Sequence, residues 1–363
     1  GRQGMSVELS AATGAAVAGA VAFVAIPLAI VLARRLDVYD SPREYRRHAA
    51  PTPLLGGAVV IGAVLVAAIA LGGGGKLLVL LGCAAGLCVM GTIDDAVAVA
   101  PKWRLLAEAC AALILMAVGF GWAGYGRGFD VALTVLWVVG LVNGFNLMDN
   151  LDGACGTVTC VSAAGIGTLA AVYGDAAVAG VAFALTAACA VFLRWNLARP
   201  ARIFLGDGGS MPIGLLIAGL AMAATRRVPV GGAQLLAGAL LAGLVILDTA
   251  LVSVSRTRRR VTLVTGGRDH LSHRLLPVLG SPWGVAAALA LGQAALCAVA
   301  IAGAQWGGEA LAISGLIVVV LGAGVIAVLD SPRWRPAGVA VGVRPSPHSL
   351  ARAPLFDGER PTE

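Results

Sequence analysis

The sequence predicts an all-α, polytopic integral membrane bundle, and three observations carry that prediction. The 363 residues are 59% apolar and only 12% charged, with a mean hydropathy of +0.89, a balance that soluble cores do not use. Apolar runs of about 17–25 residues recur, each long enough to cross the roughly 30 Å hydrocarbon layer as a helix. The runs lack two-residue alternation, which excludes a transmembrane barrel.

In chain order the predicted spans are 12–33, 54–72, 76–93, 104–120, 131–148, 157–173, 176–193, 211–224, 233–252, 283–303 and 309–329, about eleven helices. The first begins early enough to mimic a signal peptide, but no A-x-A cleavage site with a mature soluble domain follows it, so it is expected to stay as an anchor. Fifty glycines among many alanines suit helices packed backbone to backbone, because lipid supplies no hydrophobic force between helices. The seven cysteines (83, 88, 110, 155, 160, 189 and 297) form no CxxC pair and read as small reduced core residues, neither zinc ligands nor disulfides. After residue 330, Pro332, Pro336, Pro345, Pro347 and Pro354 mark a disordered tail. The expected organisation is a membrane domain over 1–330 and a tail over 331–363.

With the N-terminus outside, the inward segments (34–53, 94–104, 149–156, 194–210, 253–280 and 330–363) hold 21 of the 26 Lys and Arg residues. Arg2, Lys76, Arg127, Arg226 and Arg227 fall on the other side. The positive-inside rule then places the C-terminus in the cytoplasm. Topology also explains the net charge of +7, so no nucleic-acid partner is expected. Outer connections such as 72–75 and Tyr173-Gly174-Asp175 leave no room for an external domain.

Five polar islands interrupt the apolar sequence, and this orientation puts all five on the cytoplasmic side: Arg46-Arg47-His48 with Pro51-Thr52-Pro53, Asp94-Asp95, Asn143 to Gly153, Phe204 to Ser210, and Asp269 to Arg274. Acids, amides and imidazoles are expensive near hydrocarbon, so their gathering at one face predicts a shared active site. Asp94 and Asp95 end the third span, where adjacent carboxylates need a cation or basic partner. A solvated helix cap is the bland alternative. Lys102 and Arg104 are near enough to supply counter-charge, and Arg104 has the i,i+4 spacing to pair with Glu108 as a structural contact.

Asn143, Asn146 and Asp149-Asn150 fall on one helical stripe, followed by Asp152-Gly153. Amides read a base or sugar and a carboxylate holds a metal or hydroxyl, whereas a single Asn would be a helix-helix contact. In Phe204-Leu-Gly-Asp207-Gly-Gly-Ser210 the glycines allow close approach to phosphate at a helix N-terminus, and Asp207 is a hard ligand suited to Mg²⁺. A plain glycine turn with Ser210 as the N-cap is the other reading. In Asp269-His270-Leu-Ser272-His273-Arg274 the histidines and Arg suit a pyrophosphate better than zinc. Arg256 to Arg260 read as topology anchors. Asp248, an acid inside the ninth span, needs a partner and ranks with Asp152 as a supporting residue.

Taken together, GTIDD, NGFNLMDNLDG, PARIFLGDGGS and DHLSHRLL, in this order and spacing, resemble the polyprenyl-phosphate N-acetylhexosamine-1-phosphate transferases, and RRHAAPTPLLGG resembles the family's segment after its first helix. The resemblance covers roughly residues 12–330. It implies transfer of a sugar 1-phosphate from a UDP-sugar to a polyprenyl phosphate in the plasma membrane, releasing UMP and initiating a cell-envelope polysaccharide, with Mg²⁺ (or Mn²⁺) as cofactor. Carried over residue by residue, Asp207 looks like the main metal ligand, with Asp149 beside it. Phe204 looks like the base-stacking aromatic, and Asn143, Asn146 and Asp149 like the nucleotide stripe. Asp94 and Asp95 match the pair that positions or deprotonates the lipid phosphate, and His270, His273 and Arg274 match the basic motif near the diphosphate. Arg47, His48 and Arg104 are the basic candidates for the lipid phosphate.

Two departures bear on the branch. Ser272 stands in the middle of a motif that is triple histidine in the peptidoglycan translocases, which favours a GlcNAc-type enzyme over a phospho-MurNAc-pentapeptide transferase. Asn150 replaces the first glycine of D-G-x-D-G. The rival from another class is a lipid or ion transporter, which would carry mid-bilayer charges and paired broken helices. A homodimer is one expected assembly.

Overall fold

The computed structural model describes residues 6–36, 39–40, 52–228, 233–262 and 267–334. Thirteen α-helices run along them: α1 (Val7–Leu36), α2 (Gly56–Ala70), α3 (Lys76–Val97), α4 (Pro101–Ala117), α5 (Arg127–Met148), α6 (Ala154–Val172), α7 (Ala176–Asn196), α8 (Asp207–Thr225), α9 (Ala233–Leu241), α10 (Gly243–Arg259), α11 (Leu271–Leu279), α12 (Pro282–Trp306) and α13 (Gly308–Leu329). A two-residue antiparallel pairing sets Tyr39 against Pro53 and Asp40 against Thr52. The expected all-α bundle is what the chain forms. Arg47 and His48 lie outside the described residues, as does the tail beyond the short 3-10 turn Pro332–Trp334.

The expected count of eleven spans changes in detail. Among the described residues eight helices are long and apolar enough to cross a membrane. The ninth predicted span is two helices, α9 and α10, bent by 82°. At 15 and 17 residues, α2 and α4 are each shorter than the eight full-length spans.

The break between α9 and α10 survives in an apolar setting because a buried amide satisfies it. Gln293 of α12 is fully buried. Its Nε2 donates to the carbonyls of Leu240 (3.2 Å) and Leu241 (2.9 Å), and its Oε1 accepts from the Leu244 N–H at 3.0 Å. Backbone groups freed at a helix break in lipid need such a partner, since no water is there to supply one. The bend redirects α10 along α5 and carries Asp248 toward the segment that precedes α11.

At the centre stands α8, 94% buried, packed on α3, α5, α6 and α2. Its first turn is built for contact without side chains. A Cβ added at Gly57 of α2 would lie 2.2 Å from the Gly209 Cα, and one at Gly91 of α3 would lie 2.3 Å from the Asp207 carbonyl oxygen. Those distances are below any van der Waals contact, so α2 and α3 touch the start of α8 backbone to backbone. Around this hub α1 lies against α7, α12 packs on α6 and α9, and α13 is outermost with 11% of its span buried.

Candidate active site

Helix ends rather than helix middles supply most of the polar residues. The C-terminal ends of α3, α5 and α7 and the N-terminal ends of α4, α6 and α8 meet at one face. Asp94 ends α3, where its Oδ1 accepts from the Val99 N–H at 2.6 Å and its main-chain oxygen from the Ala98 N–H at 3.0 Å. Ala98 is held there in the left-handed region (φ 53°), which costs a non-glycine residue about 1–2 kcal/mol. Pro101 at the first position of α4 then starts the next helix with no lost hydrogen bond.

One guanidinium ties the ends together. Arg104 Nη1 is 2.5 Å from Asp94 Oδ2 and 3.2 Å from Asp207 Oδ2, while Nη2 donates to Asn146 Oδ1 at 3.2 Å. Asn146 returns its Nδ2 to Asp207 Oδ1 (2.8 Å) and to Ser210 Oγ (3.0 Å). Asp95 does a different job from its neighbour. Its carboxylate accepts from the backbone N–H groups of Asp207 (3.1 Å) and Gly208 (3.2 Å), capping α8 from another helix. Gly206 is required beside it: its φ is +71°, and a Cβ there would sit 2.6 Å from Asp95 Oδ2. Ser210 is therefore not the N-cap. Gly206 takes that position, and the Ser210 hydroxyl donates back to the Gly206 carbonyl at 3.1 Å.

The expected Arg104–Glu108 pair gives way to tertiary partners. Glu108 Oε2 accepts from Asn143 Nδ2 at 2.5 Å, so α4 and α5 meet through two polar rungs, Glu108–Asn143 and Arg104–Asn146. Asn143 also donates to the Val139 carbonyl (2.9 Å) and so faces α4 rather than Asp207. Asp149 caps the end of α5 and is half-buried, as are Asp152 and Phe204. The Phe204 N–H donates to the Pro53 carbonyl (2.8 Å) and its carbonyl accepts from Gly56 (3.0 Å), so the described part of the first island is fastened to the fourth.

The fifth island joins at the end of α5. Ser272 donates to Asn150 Oδ1, and His273 follows it on α11. Burial, then the charges of Arg268 and His270, push His273 down to about 4, so it is a neutral imidazole at pH 7. His270 is 3% exposed, with Nδ1 2.8 Å from Asp248 Oδ2, and Asp248 Oδ1 accepts from the Leu271 N–H at 2.6 Å. Arg274 is engaged away from the Arg104 cluster. Its Nε donates to the Asp269 carbonyl (2.8 Å), Nη2 to Ser255 Oγ (2.9 Å) and Nη1 to the Leu329 carbonyl.

Arg256 is not a solvated topology anchor, as the sequence suggested. It is 2% exposed and grips Asp269 with two bonds, Nε to Oδ2 at 2.9 Å and Nη2 to Oδ1 at 2.8 Å, while Arg259 adds a third at 2.8 Å. Burial alone would raise the Asp269 carboxyl. Hydrogen bonds and charge from Arg256, with His270 adding to them, instead bring it down to about 2. Nothing in the sequence marks this pair, because the two residues meet only after the chain doubles back.

Among the described residues no three His, Cys, Asp or Glu side chains form a ready metal cage. The donor chemistry nonetheless fits a hard divalent ion. Asp94 and Asp207 aim oxygens at the same Arg104 nitrogen, and Asp95 adds a third carboxylate at the start of α8, so carboxylates outnumber cations. Mg²⁺ typically takes one or two carboxylates and completes its shell with water and substrate phosphate, so it needs no protein cage.

The sequence profile of glycosyl transferase family 4 matches residues 77–225, which contain the Asp94–Arg104–Asn146–Asp207 cluster. The decaprenyl-phosphate N-acetylglucosaminephosphotransferase of Mycobacterium tuberculosis is 33% identical over 293 residues, covering 68% of this chain and 71% of that protein. The chain belongs to glycosyl transferase family 4. As a family 4 member it is also similar to the undecaprenyl-phosphate alpha-N-acetylglucosaminyl 1-phosphate transferase of Escherichia coli (26% identical over 265 residues; 68% of this chain, 71% of that one). A glycosyltransferase of Streptomyces coelicolor with a provisional description is 39% identical over 278 residues, 74% of this chain. The chain spans 64% of that protein's length.

Proposed function

We propose that this family 4 protein transfers GlcNAc 1-phosphate from UDP-GlcNAc to a polyprenyl phosphate, giving a lipid-linked diphosphate sugar and UMP, at the cytoplasmic face of the plasma membrane, as the first step of an envelope polysaccharide. The observation that carries the reading is the bridge by which Arg104 of α4 gathers carboxylates and an amide from three other helices to one spot, in a chain whose relatives are named for polyprenyl phosphates.

A phosphate attacking a diphosphate brings like charges together, and fixed cations lower that barrier. An oxygen of the lipid phosphate forms a bond to the phosphorus that carries the sugar, and the bond from that phosphorus to the UMP oxygen breaks, its electron pair leaving with UMP. Charge is conserved across the step, so no proton has to move and Asp94 need not act as a base. Arg104 is placed to leave Asp94 and meet an incoming phosphate. Asp207, with Asp94 or Asp149, would hold Mg²⁺, which when bound neutralises the diphosphate. Asn146 keeps Asp207 turned toward that position, Asp95 fixes the backbone beneath it, and His273 offers a neutral ring for hydrogen bonding.

The lipid chain has a path on the same helix. An apolar groove of about 350 Å³ runs between α5 and α10, lined by Leu136, Trp137, Leu141, Val245, Ile246 and Ala250 among others. A transporter would want paired broken helices; among the described residues one helix pair is bent at a break, and the acids paired with Arg104 sit at helix ends.

Purified protein incubated with Mg²⁺, polyprenyl phosphate and a panel of UDP-sugars tests the reading. UMP release with UDP-GlcNAc that requires the lipid phosphate supports it. Release with only UDP-MurNAc-pentapeptide moves the chain to the other branch, and no release with any donor overturns it.

A further inference from the structure

The two helices that carry carboxylates into the Arg104 cluster each carry a cation at the other end. Lys76 starts α3 and Arg226 follows α8, about 28 Å along each helix from Asp94 and Asp207. Both line one cleft of about 260 Å³, together with Gly74, Phe120, Asp175 and Ala223. Among the described residues neither the Lys76 ammonium nor the Arg226 guanidinium has a hydrogen-bond or ion-pair partner. Their neighbours are occupied: Arg227 Nη1 donates to the Tyr173 carbonyl, and Asp175 Oδ1 caps α7 by accepting from the Val178 N–H at 3.1 Å. The Lys76 Nζ lies over Gly119, where a Cβ would be 2.8 Å away. Burial lowers the Arg226 guanidinium from its ordinary value with no anion to offset it.

Three of the five Lys and Arg residues that the sequence places outside thus gather here, two of them unpaired. A second, more apolar crevice of about 230 Å³ continues from the cleft through Gly74, Leu77 and Ala177 to Ala68, Leu71 and Val181. Unpaired cations beside an apolar crevice at a helix-end belt match an amphiphile with an anionic head. We infer that this cleft binds the phosphate of an anionic phospholipid, Lys76 and Arg226 holding the head group and the crevice taking the start of an acyl chain. The site is separate from the transferase reading and stands or falls without it.

The test uses the full chain in detergent. Thermal stability is followed during titration with short-chain phosphatidylglycerol, short-chain phosphatidylcholine, glycerol phosphate or inorganic phosphate, for wild type and for Lys76→Gln/Arg226→Gln. Phosphatidylglycerol is expected to raise the midpoint saturably, and the double variant to weaken its apparent affinity about thirtyfold, with unliganded midpoint and UMP release unchanged. An equal response in the variant overturns the site. Equal stabilisation by phosphatidylcholine overturns the anionic assignment, and full reproduction by inorganic phosphate or glycerol phosphate overturns the lipid assignment.

Discussion

Asp207→Asn is expected to lower UMP release by about a hundredfold or more while the protein still folds. The substitution keeps the volume and leaves the start of α8 intact, because Asp95 caps the backbone N–H groups of residues 207 and 208 and not the side chain. What it removes is one of the carboxylates that converge on Arg104, and with it a hard oxygen donor for a divalent ion. Turnover in detergent, with the thermal midpoint as the folding control, checks this. Near-normal turnover removes Asp207 from any role at the reacting diphosphate.

Arg256→Ala carries the largest expected loss of stability, about 3–5 kcal/mol, because it strands a buried carboxylate. Asp269 would lose both of its bonds to Arg256 and keep only the one from Arg259. Thermal or denaturant unfolding of the variant measures the cost. The pH dependence has a definite sign. Asp269 is depressed from its ordinary 3.8 to about 2, so the stability it contributes is fully present above about pH 4 and is lost as pH falls toward 2. Arg256→Ala should therefore show a shallower acid limb than wild type across that window, in addition to its lower midpoint.

The polar islands were legible because hydrocarbon makes acids and amides costly, so each one in an apolar chain advertises a partner. That reasoning located Asp94, Asn146 and Asp207 without knowing that one guanidinium would join them. It also ranked Asp248 as an acid needing a partner, and His270 is that partner. Helical spacing misled at Arg104 and Glu108: the i,i+4 pair is worth only a few tenths of a kcal/mol, and the facing α5 amides and the acids of α3 and α8 offered better geometry. A run of arginines looked like membrane-edge charge because its partner, Asp269, comes near only when the loop folds back. The broken ninth span was hidden for a similar reason. Gly243 is a weak signal inside an apolar run, and the residue that makes the break tolerable, Gln293, lies some fifty residues away.

The central claim is that the islands form one diphosphate site on one face. Photolabelling with an azido-uridine analogue of UDP-GlcNAc, followed by peptide mapping, tests it most directly. The account predicts label on peptides from the α5–α6 junction, the segment before α8 and the α11 region, all lost on competition with unlabelled UDP-GlcNAc. Competable label confined to the opposite helix ends, near Lys76, Arg127 or Arg226, would contradict it.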